Sequence, residues 1–357
     1  MRPILSASLA LALCVGAASI AIAAAPTYEA PKNPSAPHPP YKAPRNTWGQ
    51  PDFTGSWSNA FITSLTRPAD VNGRPAYTEE EVSKMENFQK QHFEDGLKPV
   101  DNTKLLTEGV IQARGGLGAQ GNQDNVFLDP GMRVMRVNGQ PRTSILTTPN
   151  GLPLPRKAGA PPEPPRERRN ILADKSNGLF DDPEQLPITE RCIMFGNHTP
   201  LFPNGIYNQN YQIVQTKNSV AIESEMIHDT RIVRLNGKHR TDGVRPYLGD
   251  SIGHYEGDTL VVETTNIREN QAVFGSWQNL KITEWFKRVA NDRLYYRFQV
   301  EDPTLWDKPF GGEYEFYTLF GRLMEYACAE GNYGIEGILA GGREQDAKEE
   351  AARRASK

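Results

Sequence analysis

Short runs in which apolar and polar residues alternate, each closed by turn residues, dominate the chain after Trp48. Alternation with a period of two marks a half-buried strand, because successive side chains point to opposite faces. Runs at Arg133–Val137 and Gln140–Thr148 flank Asn138-Gly139, and runs at Ala221–Leu235 and Lys238–Arg245 flank Asn236-Gly237. Asn-Gly supplies the positive φ angles of a type I′ turn, so both pairs are expected to form hairpins. Gly257-Asp258 does similar work between Ser251–Glu256 and Thr259–Asn266, and Ala290-Asn291-Asp292 joins Lys281–Val289 to Arg293–Val300. Further strands are expected at Tyr314–Leu319 and Leu323–Cys328, and a first one where Phe53, Gly55 and Trp57 share a side. Successive hairpins with little helix between them predict a mainly β protein. The expected form is an antiparallel meander closed into a barrel, with a β-sandwich as the alternative.

One amphipathic helix interrupts the pattern. Thr78 and Glu81 form a capping box, Val82, Met85, Phe88 and Phe93 recur at helical spacing, and Gly96 is a natural stop. Two Pro-rich stretches, one before Arg45 and one over Pro149–Pro165, read as extended segments or long loops. The residues from Gly342 to Lys357 alternate charges without an apolar face, as a solvated tail does.

The N-terminus changes the picture. Arg2 precedes an apolar run from Ile4 to Ile22 that ends in Ala21-Ile22-Ala23, the layout of a cleavable secretory signal. The expected organisation is a signal peptide over 1–23, a disordered Pro-rich leader over 24–47, one β domain over 48–340 and a charged tail over 341–357. The destination is periplasmic or extracellular. Cleavage leaves Cys192 and Cys328, which in an oxidising compartment are expected to form one disulfide. The formal charge is −3 and no basic stripe appears, so nucleic acid is an unfavoured partner. No second apolar run reaches spanning length, so no membrane span is expected after cleavage. Oligomeric state is left open.

Candidate chemistry rests on polar residues at apolar positions. In an unbroken strand His228 shares a face with Val220, Ile222 and Met226, which would point an imidazole inward as an acid–base group. Glu225, Asp229 and Arg231 are near it in sequence. Pairing across Asn236-Gly237 would set Arg231 opposite Asp242. Glu284 occupies the apolar side of Leu280, Ile282 and Phe286, where a carboxylate needs a partner; Arg288 is one candidate. Tyr207, Asn210 and Tyr211 form an aromatic and amide cluster suited to a ligand-facing loop, and Asp250, Ser251 and His254 are candidates for a pocket rim. The histidines lack metal-ligand spacing, and Gly115-Gly116-Leu117-Gly118 lies in no βαβ unit, so neither a metal nor an organic cofactor is expected.

Several stretches occur together: Glu190-Arg191-Cys192-Ile193, Asn210–Thr216, Glu225–Ile232, Tyr255-Glu256-Gly257-Asp258-Thr259-Leu260-Val261-Val262-Glu263-Thr264-Thr265-Asn266 and Glu325-Tyr326-Ala327-Cys328. In these the chain resembles a family of exported bacterial hypothetical proteins with a W-E-G-D-T-L-V-V-E-T-T-N-F-like signature. It departs from that signature at Tyr255 and Ile267, and the resemblance implies no activity and no site residues. Gly55-x-Trp57 is similar to the opening strand of lipocalin-like barrels, which favours a barrel over a sandwich. The expected function is cofactor-independent acid–base chemistry of lyase, isomerase or hydrolase type on a small apolar or aromatic molecule in a barrel pocket. His228 would be the acid–base group, with Glu225 or Glu284 orienting it and Arg231 holding an anionic group. The alternatives are a periplasmic binding or carrier protein and an envelope structural or assembly factor.

Overall fold

The computed structural model describes residues 36–96, 131–164, 183, 186, 188–189, 191–195, 199–203, 209–319, 321–331 and 333–355. The expected signal segment, Gly115–Gly118 and Tyr207 lie outside the described residues. All described residues belong to one unit, Asn33–Lys357.

Strand β1 (Gly55–Ser58) is followed by helix α1 (Glu79–Gly96) and a small hairpin of β2 (Arg136–Val137) and β3 (Gln140–Pro141). Then come β4 (Asn210–Gln215), β5 (Ser219–Ser224), β6 (Thr230–Leu235), β7 (Asp250–Glu256) and β8 (Thr259–Thr265). The last strands are β9 (Lys281–Ala290), β10 (Arg293–Glu301) and β11 (Phe310–Thr318), and helix α2 (Gly334–Ala355) ends the described chain. Nine strands close a barrel in the order β1, β11, β10, β9, β8, β7, β6, β5, β4 and back to β1. The expected barrel is therefore correct and the sandwich is not.

The meander is not purely antiparallel, and ring parity says why. Directions cannot alternate all the way round a ring with an odd number of strands, so at least one neighbouring pair must run parallel. That pair is β6 and β7, in register from Val233 opposite Ser251 to Leu235 opposite Gly253. Parallel neighbours need a crossover of about a dozen residues or more, and residues 236–249 provide it. The hairpin expected at Asn236-Gly237 is accordingly absent. Asn236 does adopt a left-handed φ of 55°, but Gly237 is not left-handed, and the Asn236 N–H donates to Gly253 O at 2.7 Å. A type I′ turn needs both central residues left-handed. At Asn138 (φ 49°) and Gly139 (φ 81°) both are, and there the expected hairpin forms.

The barrel interior is lined by alternate residues of each strand. Phe286, Tyr296, Phe298, Tyr314 and Phe316 are fully or almost fully buried, with ring centroids 4.8 Å apart for Tyr296 and Tyr314 and 5.0 Å for Phe286 and Tyr296. Burying each such side chain contributes roughly 1.5–3 kcal/mol. Outside the barrel, α1 carries its capping box, with Thr78 N–H donating to Glu81 at 2.7 Å and Glu81 N–H to Thr78 Oγ1 at 3.2 Å. Its expected apolar stripe is only partly used: Val82 is buried, whereas Phe88 is 71% exposed.

Three further expectations change. Ala221–Leu235 is two strands, because Ile227 (φ 55°) and His228 (φ 46°) are left-handed and the chain reverses around Glu225–Asp229. Leu323–Cys328 is an irregular strap, not a strand. Residues 36–47 lie against the rest of the protein where a disordered leader was expected. His38 Nε2 is 2.8 Å from Glu315 Oε2, Tyr41 donates to Asn291 Oδ1 at 2.9 Å, and Ala43 is buried. Proline removes backbone donors, so this segment is held mainly by side chains.

Candidate functional site

The expected catalytic set divides between two places. Arg231 on β6 and Glu284 on β9 point into the barrel and pair there, both fully or almost fully buried. Both terminal guanidinium nitrogens engage the carboxylate, Nη1 meeting Oε2 and Nη2 donating to Oε1 at 3.0 Å, while the buried Nε makes no hydrogen bond. Tyr296 donates its hydroxyl to the same Oε1 at 2.8 Å and accepts the Leu201 N–H at 3.0 Å. Tyr314 donates to Leu201 O and accepts from Asn59 Nδ2 at 3.1 Å. Burial opposes the Arg231 charge, but the Glu284 carboxylate leaves it held above its ordinary range. Burial pushes the phenols of Tyr211, Tyr296 and Tyr314 upward, so none is a ready proton donor. Glu284 is thus neutralised by Arg231, while Arg288 donates to the carbonyls of Asp52 and Asn291. The pairing of Arg231 with Asp242 expected from the sequence does not form; Asp242 pairs with Arg240.

His228 is not inside the barrel. The left-handed turn that reverses the chain carries its side chain to the surface, where it is exposed. The inward placement assumed an unbroken pleat, and the reversal at Glu225–Asp229 breaks it. Glu225, by contrast, is buried, 4% exposed. Its Oε2 accepts from Asn210 Nδ2 at 2.6 Å and its Oε1 accepts the Met324 N–H, so it pins the strap to the end of β5. Asp229, which follows His228, accepts the Phe195 N–H at 3.3 Å, and burial pushes its carboxyl up to about 6.

Around these residues lies a cleft with a volume of about 650 Å³. One wall is the outer surface of the barrel, where Ser56, Gln212 and Glu223 stand in register on β1, β4 and β5. The other wall is the strap, with Arg322, Leu323, Met324, Glu325 and Tyr326. Glu225 and His228 also line it. The strap is tethered beyond the cleft by the disulfide Cys192–Cys328, with Cα atoms 5.7 Å apart. The expected disulfide is therefore present. Sequence patterning missed Ser56, Gln212, Glu223 and the strap residues, since they face outward or lie in irregular chain.

The expected binding residues do not converge on one site. Asn210 supports Glu225 near the cleft, and Tyr211 is buried inside the barrel. Asp250 faces outward and engages Arg234 at 2.7 Å and His239 Nδ1 at 3.0 Å, while the other ring nitrogen of His239 lies 3.1 Å from Glu263. Ser251 faces inward and bonds Thr264 at 2.8 Å, and His254 pairs on the surface with Glu256 at 3.0 Å. Among the described residues no group of three or more His, Cys, Asp or Glu is placed to hold a metal ion, and no helix is long and apolar enough to cross a membrane. No family model, curated protein or solved structure matches the chain.

Proposed function

We propose that the protein is an exported small-molecule binding protein whose site is the cleft beneath the strap, with the barrel as its rigid support. The cleft carries the reading: its volume of about 650 Å³ lies within the roughly 300–1,000 Å³ usual for small-molecule sites. The barrel interior supports it as scaffold. Arg231 and Glu284 are bonded to each other there through both Nη atoms, and the aromatic side chains around them are packed ring against ring. Export is supported by Arg2, the apolar run after it and Ala21-Ile22-Ala23, and by a disulfide of the kind that persists in oxidising compartments.

One observation favours acid–base catalysis as a second reading. His228 opens on the cleft, and beside it in the chain the Asp229 carboxyl is raised to about 6, near the working pH of a general acid or base. The test is a ligand-observed NMR screen of small metabolites against the full chain and against Ser56→Trp, which fills the cleft from β1. Saturable signals that vanish in Ser56→Trp are expected. Signals unchanged in that variant would put binding elsewhere and end the cleft reading. Turnover of a bound compound that His228→Gln abolishes would replace the binding reading with the catalytic one.

A further inference from the structure

The two walls of the cleft differ in chemistry. On the barrel side, register places Ser56 opposite Gln212 and Gln212 opposite Glu223, so a hydroxyl, an amide and a carboxylate form one row across three strands. Neighbouring strands lie about 4.8 Å apart, which is comparable with the separation of non-adjacent hydroxyls on a six-membered sugar ring. None of these three side chains makes a hydrogen bond or ion pair with another described residue, and the same holds for Arg322 and Glu325 on the strap. Their polar groups are therefore uncommitted where they face the cleft. The strap also contributes an apolar surface from Leu323, Met324 and the ring of Tyr326.

We propose that this cleft takes a saccharide ring, edge-on to the Ser56–Gln212–Glu223 row and with its C–H face toward Tyr326. This rests on the cleft being a binding site and names what it binds. A pyranose has a rim of hydroxyls that both donate and accept, and faces of aliphatic C–H. The lining answers both parts: serine and glutamine donate and accept, glutamate accepts, arginine donates, and the tyrosine ring offers an apolar face. An apolar or aromatic ligand, the class expected from sequence patterning, would leave the polar row desolvated without partners, which costs binding at each group. Charge then orders the sugars. The lining has three carboxylates, Glu223, Glu225 and Glu325, against the single guanidinium of Arg322. An amino sugar is therefore favoured over a neutral one, and a sugar acid is disfavoured.

The experiment is saturation-transfer NMR and calorimetric titration of the full chain with four probes: D-glucosamine, D-glucose, D-glucuronate and putrescine. Saturable binding of glucosamine and, more weakly, glucose is expected, with little from glucuronate and none from putrescine. Tyr326→Ala should weaken both sugars by about tenfold, as for loss of one aromatic contact, while Tyr326→Phe, which keeps the ring, should weaken them less. Glu223→Gln should narrow the preference for glucosamine over glucose. Putrescine binding as well as glucosamine would overturn the proposal, because an amine alone would then suffice. If no sugar binds but other metabolites do and lose binding in Ser56→Trp, the saccharide proposal fails and the binding reading stands. If Ser56→Trp alters no binding of any kind, the binding reading itself has failed.

Discussion

Removing the Glu284 carboxylate would strand the Arg231 guanidinium in the barrel core, where neither residue has appreciable solvent access. Breaking one partner of such a pair typically costs about 3–5 kcal/mol, whereas replacing both with apolar residues of similar size is often close to neutral. Glu284→Ala should therefore be strongly destabilising in urea unfolding, and Arg231→Met/Glu284→Met much less so. A double variant as unstable as the single one would contradict this account. Asp229 gives a second test at this scale. Its carboxyl is raised from the ordinary 3.8 to about 6 by burial, so between those values the folded chain holds a proton that the unfolded chain has released. Stability should fall as pH rises through that window, with the loss complete above about 6. Asp229→Asn should remove the slope; unfolding curves for the two proteins that stay parallel across the window would refute it. Glu284 was legible in the sequence because a carboxylate on an apolar face demands a partner. His228 was misread because alternation assumes an unbroken strand, and two left-handed residues in succession, one of them the β-branched Ile227, leave no mark in hydropathy.

The elements that shape the cleft were the hardest to read. The strap has no periodicity, and its position comes from Glu225 accepting the Met324 N–H and from the disulfide to Cys192. Both are long-range contacts that no local pattern encodes, although pairing of the two cysteines followed from their number. The crossover at 236–249 was likewise mistaken for half of a hairpin, because Asn-Gly is a strong turn signal that says nothing about which strand comes next. By contrast, the β2–β3, β7–β8 and β9–β10 hairpins were legible, since turn chemistry and alternation agree there. Cys192→Ser/Cys328→Ser tests the role of the strap. The bond spans a sequence separation of 136, and losing such a cross-link typically costs about 2–4 kcal/mol. The double variant should keep the barrel amides protected while amides of 321–328 exchange faster and ligand binding in the cleft weakens. Unchanged exchange in that stretch would show that the strap holds its place without the disulfide.

At the scale of the whole molecule, closure rests on a short piece of chain. Strand β1 spans only Gly55–Ser58, yet it is hydrogen-bonded to β4 on one side and β11 on the other. Its register sets Trp57 opposite both Tyr211 and Thr318, so its partners lie far along the sequence. Long-range pairing of this kind carries a large loop-closure cost and forms late. Because β1 is paired on both sides, where a sheet does not tolerate proline, Ser56→Pro should open the ring at this point, measured as loss of protection in β4 and β11 before β8 or β9. Equal loss in all strands would mean that the barrel unfolds as one unit. Until β1 arrives, the other eight strands form an open, curved sheet with two unpaired edges, and such edges accept any extended segment of suitable pattern. The ring thus behaves as an arch awaiting its keystone: a synthetic peptide carrying residues 51–60 should be able to complete a chain that lacks them, making this barrel divisible into two separately supplied parts.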